Sequence, residues 1–188
     1  PVASFDDATA EYIRLKHPAR SSSAEQPPLP NIDCCLCLQD SEILAAIKSF
    51  VPGSVGGLDG LRPQHLKDLT CASTGDAGVR LLARLTQFAN LCLSGRVPAM
   101  IQPVFCGASL CALNKKNGGI RPIAVGNTLR RLIAKAACRS VSSKITAEFL
   151  PVQLGFGVPR ARQYVSGLQA GQGLLKLDFQ NAFNTVHR

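Results

Sequence analysis

Asp178 stands near the end of Leu174-Leu175-Lys176-Leu177-Asp178-Phe179, a run whose alternation predicts a strand with Leu175, Leu177 and Phe179 on one face and Lys176 and Asp178 on the other. A carboxylate held at a strand end presents hard oxygen donors, the type Mg²⁺ prefers while it keeps water and phosphate oxygens in its shell. One carboxylate is not a whole site, because two-metal phosphoryl transfer needs several. The only other acids after residue 60 are Asp68, Asp76 and Glu148. Alone, Asp178 also fits a solvated strand end, or a cap for a helix following Gln180-Asn181-Ala182-Phe183.

Lys115, Lys116 and Arg121 form a second constellation around Asn117-Gly118-Gly119. Lysine brings a mobile point charge and arginine a planar fork, so two strands joined by this glycine turn would lower both onto a polyphosphate and neutralise charge on its oxygens. A basic hairpin tip is also common on surfaces. Downstream, Arg130, Arg131, Lys135 and Arg139 make a basic stripe at near-helical spacing, suited to following a nucleic-acid backbone or to facing water. Gln153-Leu154-Gly155-Phe156-Gly157 sets an amide and an aromatic among glycines, where a backbone or template could approach closely. P-loop, nucleophile-elbow and H-E-x-x-H patterns are all missing, which removes those chemistries.

The elements that must position these groups follow from periodicity. A helix is expected from Asp40 or Ser41 as cap, with Ile43, Leu44 and Ile47 on its apolar face and Pro52-Gly53 as its stop. Four glycines fall within Gly53–Gly60. Pro63 opens a short helix through Leu69, and residues 77–93 carry a longer apolar stripe through Leu81, Leu82, Leu85, Phe88, Ala89 and Cys92. Residues 103–113 and 120–125 read as the strands of an antiparallel hairpin. Asn127 or Thr128 then caps a helix of about 20 residues, with Leu129, Leu132, Ile133, Ala136, Ala137, Val141 and Ile145 toward the core and Pro151 as its end. Residues 18–33, rich in Ser and Pro, read as a linker after a short acidic piece.

Charge is distributed unevenly. Residues 1–60 hold 4 Lys/Arg and 8 Asp/Glu, whereas residues 61–188 hold 17 and 4, a balance of +13 (17 − 4) that favours a polyanion such as nucleic acid. No apolar run long enough for a membrane span occurs, no secretory leader is evident at the start, and both ends read as cut. Cys34-Cys35-Leu36-Cys37 contains a C-x-x-C, but no second ligand pair at finger spacing follows, and the 8 cysteines show no disulfide framework. Cys92, Cys106 and Cys111 lie in apolar stretches and are expected to be buried, in a reduced intracellular setting.

Lys115-Lys116-Asn117-Gly118-Gly119-Ile120-Arg121-Pro122-Ile123-Ala124-Val125-Gly126, with Leu129-Arg130-Arg131-Leu132, resembles the fingers hairpin and following helix of a reverse transcriptase. Leu177-Asp178-Phe179-Gln180-Asn181-Ala182-Phe183 resembles the first catalytic motif of the palm, D-x-x-x-A-F. Gly53–Gly60 with Leu61-Arg62-Pro63 resembles the glycine-rich segment that opens the domain, and Gln153–Gly157 the template-side segment. Together these cover about residues 41–188, in family order, and are most similar to the non-LTR retrotransposon type.

The resemblance implies an α+β fold: a partial right-hand polymerase, with helical fingers, a β-hairpin and the first palm strand. Residues 1–40 would be an upstream segment and flexible linker, 41–172 the fingers region, and 173–188 the start of the palm. Asp178 and the Phe179 carbonyl would bind Mg²⁺. Lys115 and Arg121 would meet the dNTP triphosphate, and Phe183 would stack under its sugar. Gln153, Gly155 and Phe156 would lie beside the template, and Arg130 and Arg131 near template phosphates or in the fingers core. Partners would be an RNA template and a DNA primer, with no membrane. Two departures stand out: Leu58 replaces the usual proline before Asp59-Gly60, and Pro159-Arg160-Ala161-Arg162-Gln163 replaces a small and acidic pattern. The aromatic-x-Asp-Asp motif of the family is not among these residues, so the isolated chain is expected not to catalyse. The alternatives are a non-catalytic nucleic-acid-binding module of retroelement origin and a small interaction domain with an accidental basic face. A fragment of this kind is also expected to leave an apolar sheet face and an open edge uncovered.

Overall fold

The computed structural model describes residues 2–4, 6–16, 35–116, 118–150, 152 and 165–175. Its elements run α1 (Asp7–Lys16), α2 (Asp40–Lys48), α3 (Pro63–Leu69), a 3₁₀ turn (Ala72–Thr74), α4 (Gly75–Leu93), α5 (Gln102–Cys106), β1 (Ala108–Asn114), β2 (Ile120–Gly126) and α6 (Thr128–Phe149). The described part is thus a small α+β arrangement with one two-stranded antiparallel sheet. Among the described residues no helix is long and apolar enough to cross a membrane.

The core is built around α2, which packs against α3, α4 and α6. Ile43, Ala46 and Ile47 recur at i, i+3 and i+4, so one face of this short helix buries all three. They meet Leu66 of α3, Ala89 of α4, and Leu132, Ile133 and Ala136 of α6, with Leu38 and Phe50 closing the ends. Gln39, rather than Asp40 or Ser41, is the cap of α2. The boundary moves one residue earlier because Glu42 reaches back to accept the Gln39 N–H at 2.9 Å.

Leu38 enters this core along an irregular stretch, where its backbone has no ladder partner. Asn90 of α4 supplies one: its Oδ1 accepts the Leu38 N–H at 2.8 Å and its Nδ2 donates to the Leu38 carbonyl at 2.9 Å. One side-chain amide therefore plays the part of a neighbouring strand for a residue that is 1% exposed.

The expected strand over residues 103–113 is corrected in its first half. Gln102–Cys106 is helical, with Val104 and Phe105 donating to the Ile101 carbonyl at 3.1 and 2.9 Å. A short apolar run suits helix or strand equally. Pro103 decides between them, since its fixed φ and missing N–H suit the first turn of a helix. The turn sets Phe105 edge-to-face on Phe88 of α4, with ring centroids 5.8 Å apart. The burial expected of the cysteines is corrected as well: Cys92 is half-buried, but Cys106 and Cys111 are exposed, as free thiols. Among the described residues the sheet is two strands wide, so apolar composition there does not bring enclosure. Leu110 and Leu113 remain 46% and 37% exposed.

The N-terminal residues return to the hairpin. Val2 bridges Leu113, and Ala3 donates to the Ala112 carbonyl at 2.8 Å, so part of the outer edge of β1 is paired. The expected strand after Leu174 lies mostly outside the described residues; Leu174 and Leu175 are exposed and irregular. Replacing Asn90 with Ala leaves the Leu38 N–H and carbonyl unpaired in the core. We expect a loss of about 2–4 kcal/mol, read as a lower urea midpoint at unchanged slope.

Candidate nucleic-acid interface

The hairpin pairs Ala108 with Gly126 at its root and Asn114 with Ile120 next to its tip. Pro122 sits opposite Ala112 within this ladder. The Ala112 carbonyl points outward to Ala3, so Ala112 and Pro122 form a non-hydrogen-bonded pair, and the missing proline N–H costs the ladder nothing. At the tip, Lys115 donates to the Gly119 carbonyl at 3.0 Å and Gly118 to the Lys115 carbonyl at 3.3 Å. Gly118 and Gly119 hold φ of 76° and 83°, the left-handed region that side chains other than glycine's rarely enter. Lys115, Lys116 and Arg121 are all exposed there.

The other end of the hairpin runs straight into α6, and here the glycine-rich segment docks. Asn127 caps the helix: its Oδ1 accepts the Leu129 and Arg130 N–H groups at 2.9 and 3.4 Å, while its Nδ2 donates to Asp59 Oδ2 at 3.0 Å. The second oxygen of Asp59 accepts the Leu61 N–H at 3.1 Å. The fully buried Thr128 hydroxyl donates to the Leu61 carbonyl. Gly57 lies against this junction so closely that a Cβ there would come within 2.9 Å of the Asn127 Cα and 3.2 Å of the Gly126 carbonyl.

The arginines of the first turn of α6 bond to backbone carbonyls of other segments. Arg130 donates to the Cys106 carbonyl at 2.7 Å, and Arg131 to the Val55 carbonyl, also at 2.7 Å. The Arg131 guanidinium lies 5.6 Å from the centre of the Phe50 ring, and the Lys135 ammonium 5.1 Å from it. Arg139 is exposed at the rim of an open cleft of about 230 Å³ between α2 and α6, lined also by Ser41, Glu42, Ala45, Ala136 and Ser140. Glu42 is held below the usual carboxylate value of 4.5 by the Gln39 N–H and then the Ser140 hydroxyl.

The basic residues predicted from the sequence therefore fall into two groups at the hairpin, with Lys135 and Arg139 further along α6. Lys115, Lys116 and Arg121 gather at the hairpin tip, while Arg130 and Arg131 gather at its root. Arg121 is five residues from Gly126, about 17 Å along an extended strand. Among the described residues the one ion pair is Arg14–Glu11 at 3.4 Å, within α1, so no described cation after residue 60 is paired with a described carboxylate. Asp178, Phe179, Phe183, Gln153, Gly155 and Phe156 lie outside the described residues. Among the described residues no three His, Cys, Asp or Glu side chains are grouped so as to hold a metal ion. Sequence reasoning missed Asp59 and Phe50. The Asp-Gly pair was a visible turn signal for the first; nothing local marks Phe50 as a platform for two cations.

No protein-family model, no curated protein and no solved structure matches this chain.

Gly57→Ala should cost about 1–3 kcal/mol in chemical unfolding, because backbone on the far side cannot yield. Gly173→Ala, with open space around it, should stay within about 0.5 kcal/mol. Arg131→Ala should lower stability by about 1 kcal/mol through the lost carbonyl bond and ring contact. Arg139→Ala should change it by less than about 0.5 kcal/mol. The depressed Glu42 contributes stability that is complete above its unfolded value near 4.5 and is lost as pH falls through its lower folded value. Urea midpoints across an acid series should therefore fall less steeply for Glu42→Gln than for the parent.

Proposed function

We propose that this chain is the fingers region and the beginning of the palm of an RNA-directed DNA polymerase of the non-LTR retrotransposon type. Such an enzyme transfers dNMP from a dNTP to a primer 3′-hydroxyl under the direction of an RNA template. The observation that carries this reading is the exposed basic hairpin tip, rooted where the glycine-rich segment meets the cap of a long helix. It is joined by the sequence order that leads on to Asp178.

In this reading Lys115 and Arg121 neutralise the triphosphate as charge builds on its oxygens. Phe183 stacks under the sugar and excludes a 2′-hydroxyl. Asp178 and the Phe179 carbonyl, hard oxygen donors, would hold Mg²⁺, which would supply Lewis-acid polarisation of the phosphoryl group. Gln153, Gly155 and Phe156 flank the template. Arg130 and Arg131 serve the fingers core, leaving Arg139, with a smaller share from Lys135, to meet nucleic-acid phosphates.

A second reading, a non-catalytic nucleic-acid-binding module, is favoured by the +13 balance of residues 61–188. It would use the hairpin tip on the nucleic acid itself. Anisotropy titrations of an RNA-template/DNA-primer hybrid over a salt series separate the two. In the polymerase reading the logarithm of affinity falls linearly with the logarithm of salt. Lys115→Ala/Arg121→Ala keeps that slope, but loses the roughly tenfold tightening that templated dNTP with Mg²⁺ gives the parent. In the module reading dNTP has no effect, and the double variant flattens the slope by about 2. Affinity indifferent to salt, or equal preference for heparin, overturns both.

A further inference from the structure

The two edges of the hairpin sheet are protected by different means. Ala112 and Pro122 are a non-hydrogen-bonded pair, so their backbone groups face outward on β1 and β2. By the alternation of the ladder, those of Leu110 and Ala124 do the same. On the β2 side Pro122 offers no N–H, Arg121 adds a charge, and Gly57 sits against the Gly126 carbonyl at the root. Proline and charge at a sheet edge obstruct pairing with another chain. The β1 side has neither, since Ala108-Ser109-Leu110-Cys111-Ala112-Leu113-Asn114 holds no charged residue and no proline. Leu110, Cys111 and Leu113 are exposed along it. What lies on this edge is the N-terminal segment: Val2 bridges Leu113, Ala3 donates to the Ala112 carbonyl at 2.8 Å, and α1 packs against β2. The hold is slight. Val2 and Leu15 are 70% and 73% exposed, and Thr9 is the one buried residue of α1. A cover attached in this way opens at far lower cost than the core behind it.

We propose that the outer edge of β1 is a strand-docking surface, and that its partner, once residues 2–4 leave it, is β1 of a second copy of this chain. The strand is suited to pair with itself. A two-fold axis through Cys111 sets Leu110 opposite Ala112 and Ala108 opposite Asn114, so the outward backbone groups of the two copies meet along all 7 residues. No charge in either strand is brought against a like charge. Antiparallel pairing also sends the two hairpin tips in opposite directions, which keeps Lys115, Lys116 and Arg121 of one copy away from those of the other. The N-terminal segment is then a built-in cover: seated, it holds the chain as a monomer, and released, it opens the edge to a second copy. This inference does not depend on the polymerase reading.

Sedimentation equilibrium of the full 188-residue chain, over a concentration series, tests this with two substitutions. Ala3→Pro removes the donor to the Ala112 carbonyl and loosens the cover. Leu110→Pro removes the outward N–H of β1, as Pro122 does for β2, and leaves the bonds between β1 and β2 in place. Ala3→Pro should self-associate at least about tenfold more tightly than the parent, and amide exchange within β1 should slow as its concentration rises. The double variant Ala3→Pro/Leu110→Pro should return to the monomer. Equal association of Ala3→Pro and the parent overturns the proposal. So does association that Leu110→Pro leaves intact, or a monomer in every case up to the solubility limit. Where a proline variant fails to fold, Val2→Asp loosens the cover and Leu110→Lys charges the edge, and the same outcomes decide.

Discussion

A strand that runs directly into a helix leaves the first N–H groups of that helix without partners, and in this molecule the solution to that problem organises everything around it. One residue, Asn127, separates β2 from α6. Its side-chain Oδ1 accepts the Leu129 and Arg130 N–H groups, and its Nδ2 donates to Asp59. The same short stretch therefore starts the helix, ends the hairpin and receives the glycine-rich segment. Thr128 adds a buried bond to the far end of that segment, at Leu61. Gly57 lets the backbones come close enough for all of this to happen at once. The direction of the hairpin relative to α2, α4 and α6 follows from that junction.

Cations near the junction are put to structural use. Arg130 and Arg131 donate to the carbonyls of two different segments, and the Phe50 ring carries Arg131 and Lys135 on its face. A guanidinium suits this work because it offers several donors in one plane and sheds water more readily than an ammonium. The positive charge then divides by role. At the root of the hairpin it fastens loops to α6; at the tip, Lys115, Lys116 and Arg121 are exposed, with no described carboxylate in ion-pair contact. A strongly basic chain can thus hold its arginines for packing and still present a concentrated positive end to a polyanion.

Much of the fold was legible in the residues. The apolar spacing of Ile43 and Ile47, Pro63 as a helix start, the stripe through Phe88, Ala89 and Cys92, and Asn127 as a cap all lie where local chemistry predicts, because helix faces and caps are written within a few residues. Residues 103–106 were misread because an apolar run has no period of its own, and the contact of Phe105 with Phe88 lies outside the window in which a run is judged. Composition places Cys106 and Cys111 in the interior, yet Cys106 ends a five-residue helix and Cys111 lies in a two-stranded sheet, and both are exposed. At the candidate interface, the residue types of the tip were readable, whereas the bonds of Arg130 and Arg131 to distant carbonyls were not.

From sequence alone come helices α2, α3, α4 and α6, the hairpin, its glycine turn, the uneven charge and the candidate carboxylate at Asp178, since each depends on near neighbours or on counting. The tertiary structure alone decided that Asn90 serves as a strand for Leu38, that Asp59 holds Asn127, and that Phe50 carries two cations. These pairs lie 52, 68, 81 and 85 residues apart in the chain (90 − 38, 127 − 59, 131 − 50 and 135 − 50). Only a folded backbone brings groups so distant within reach of hydrogen bonds or ring faces, and which basic side chains remain free for a partner is settled by those meetings.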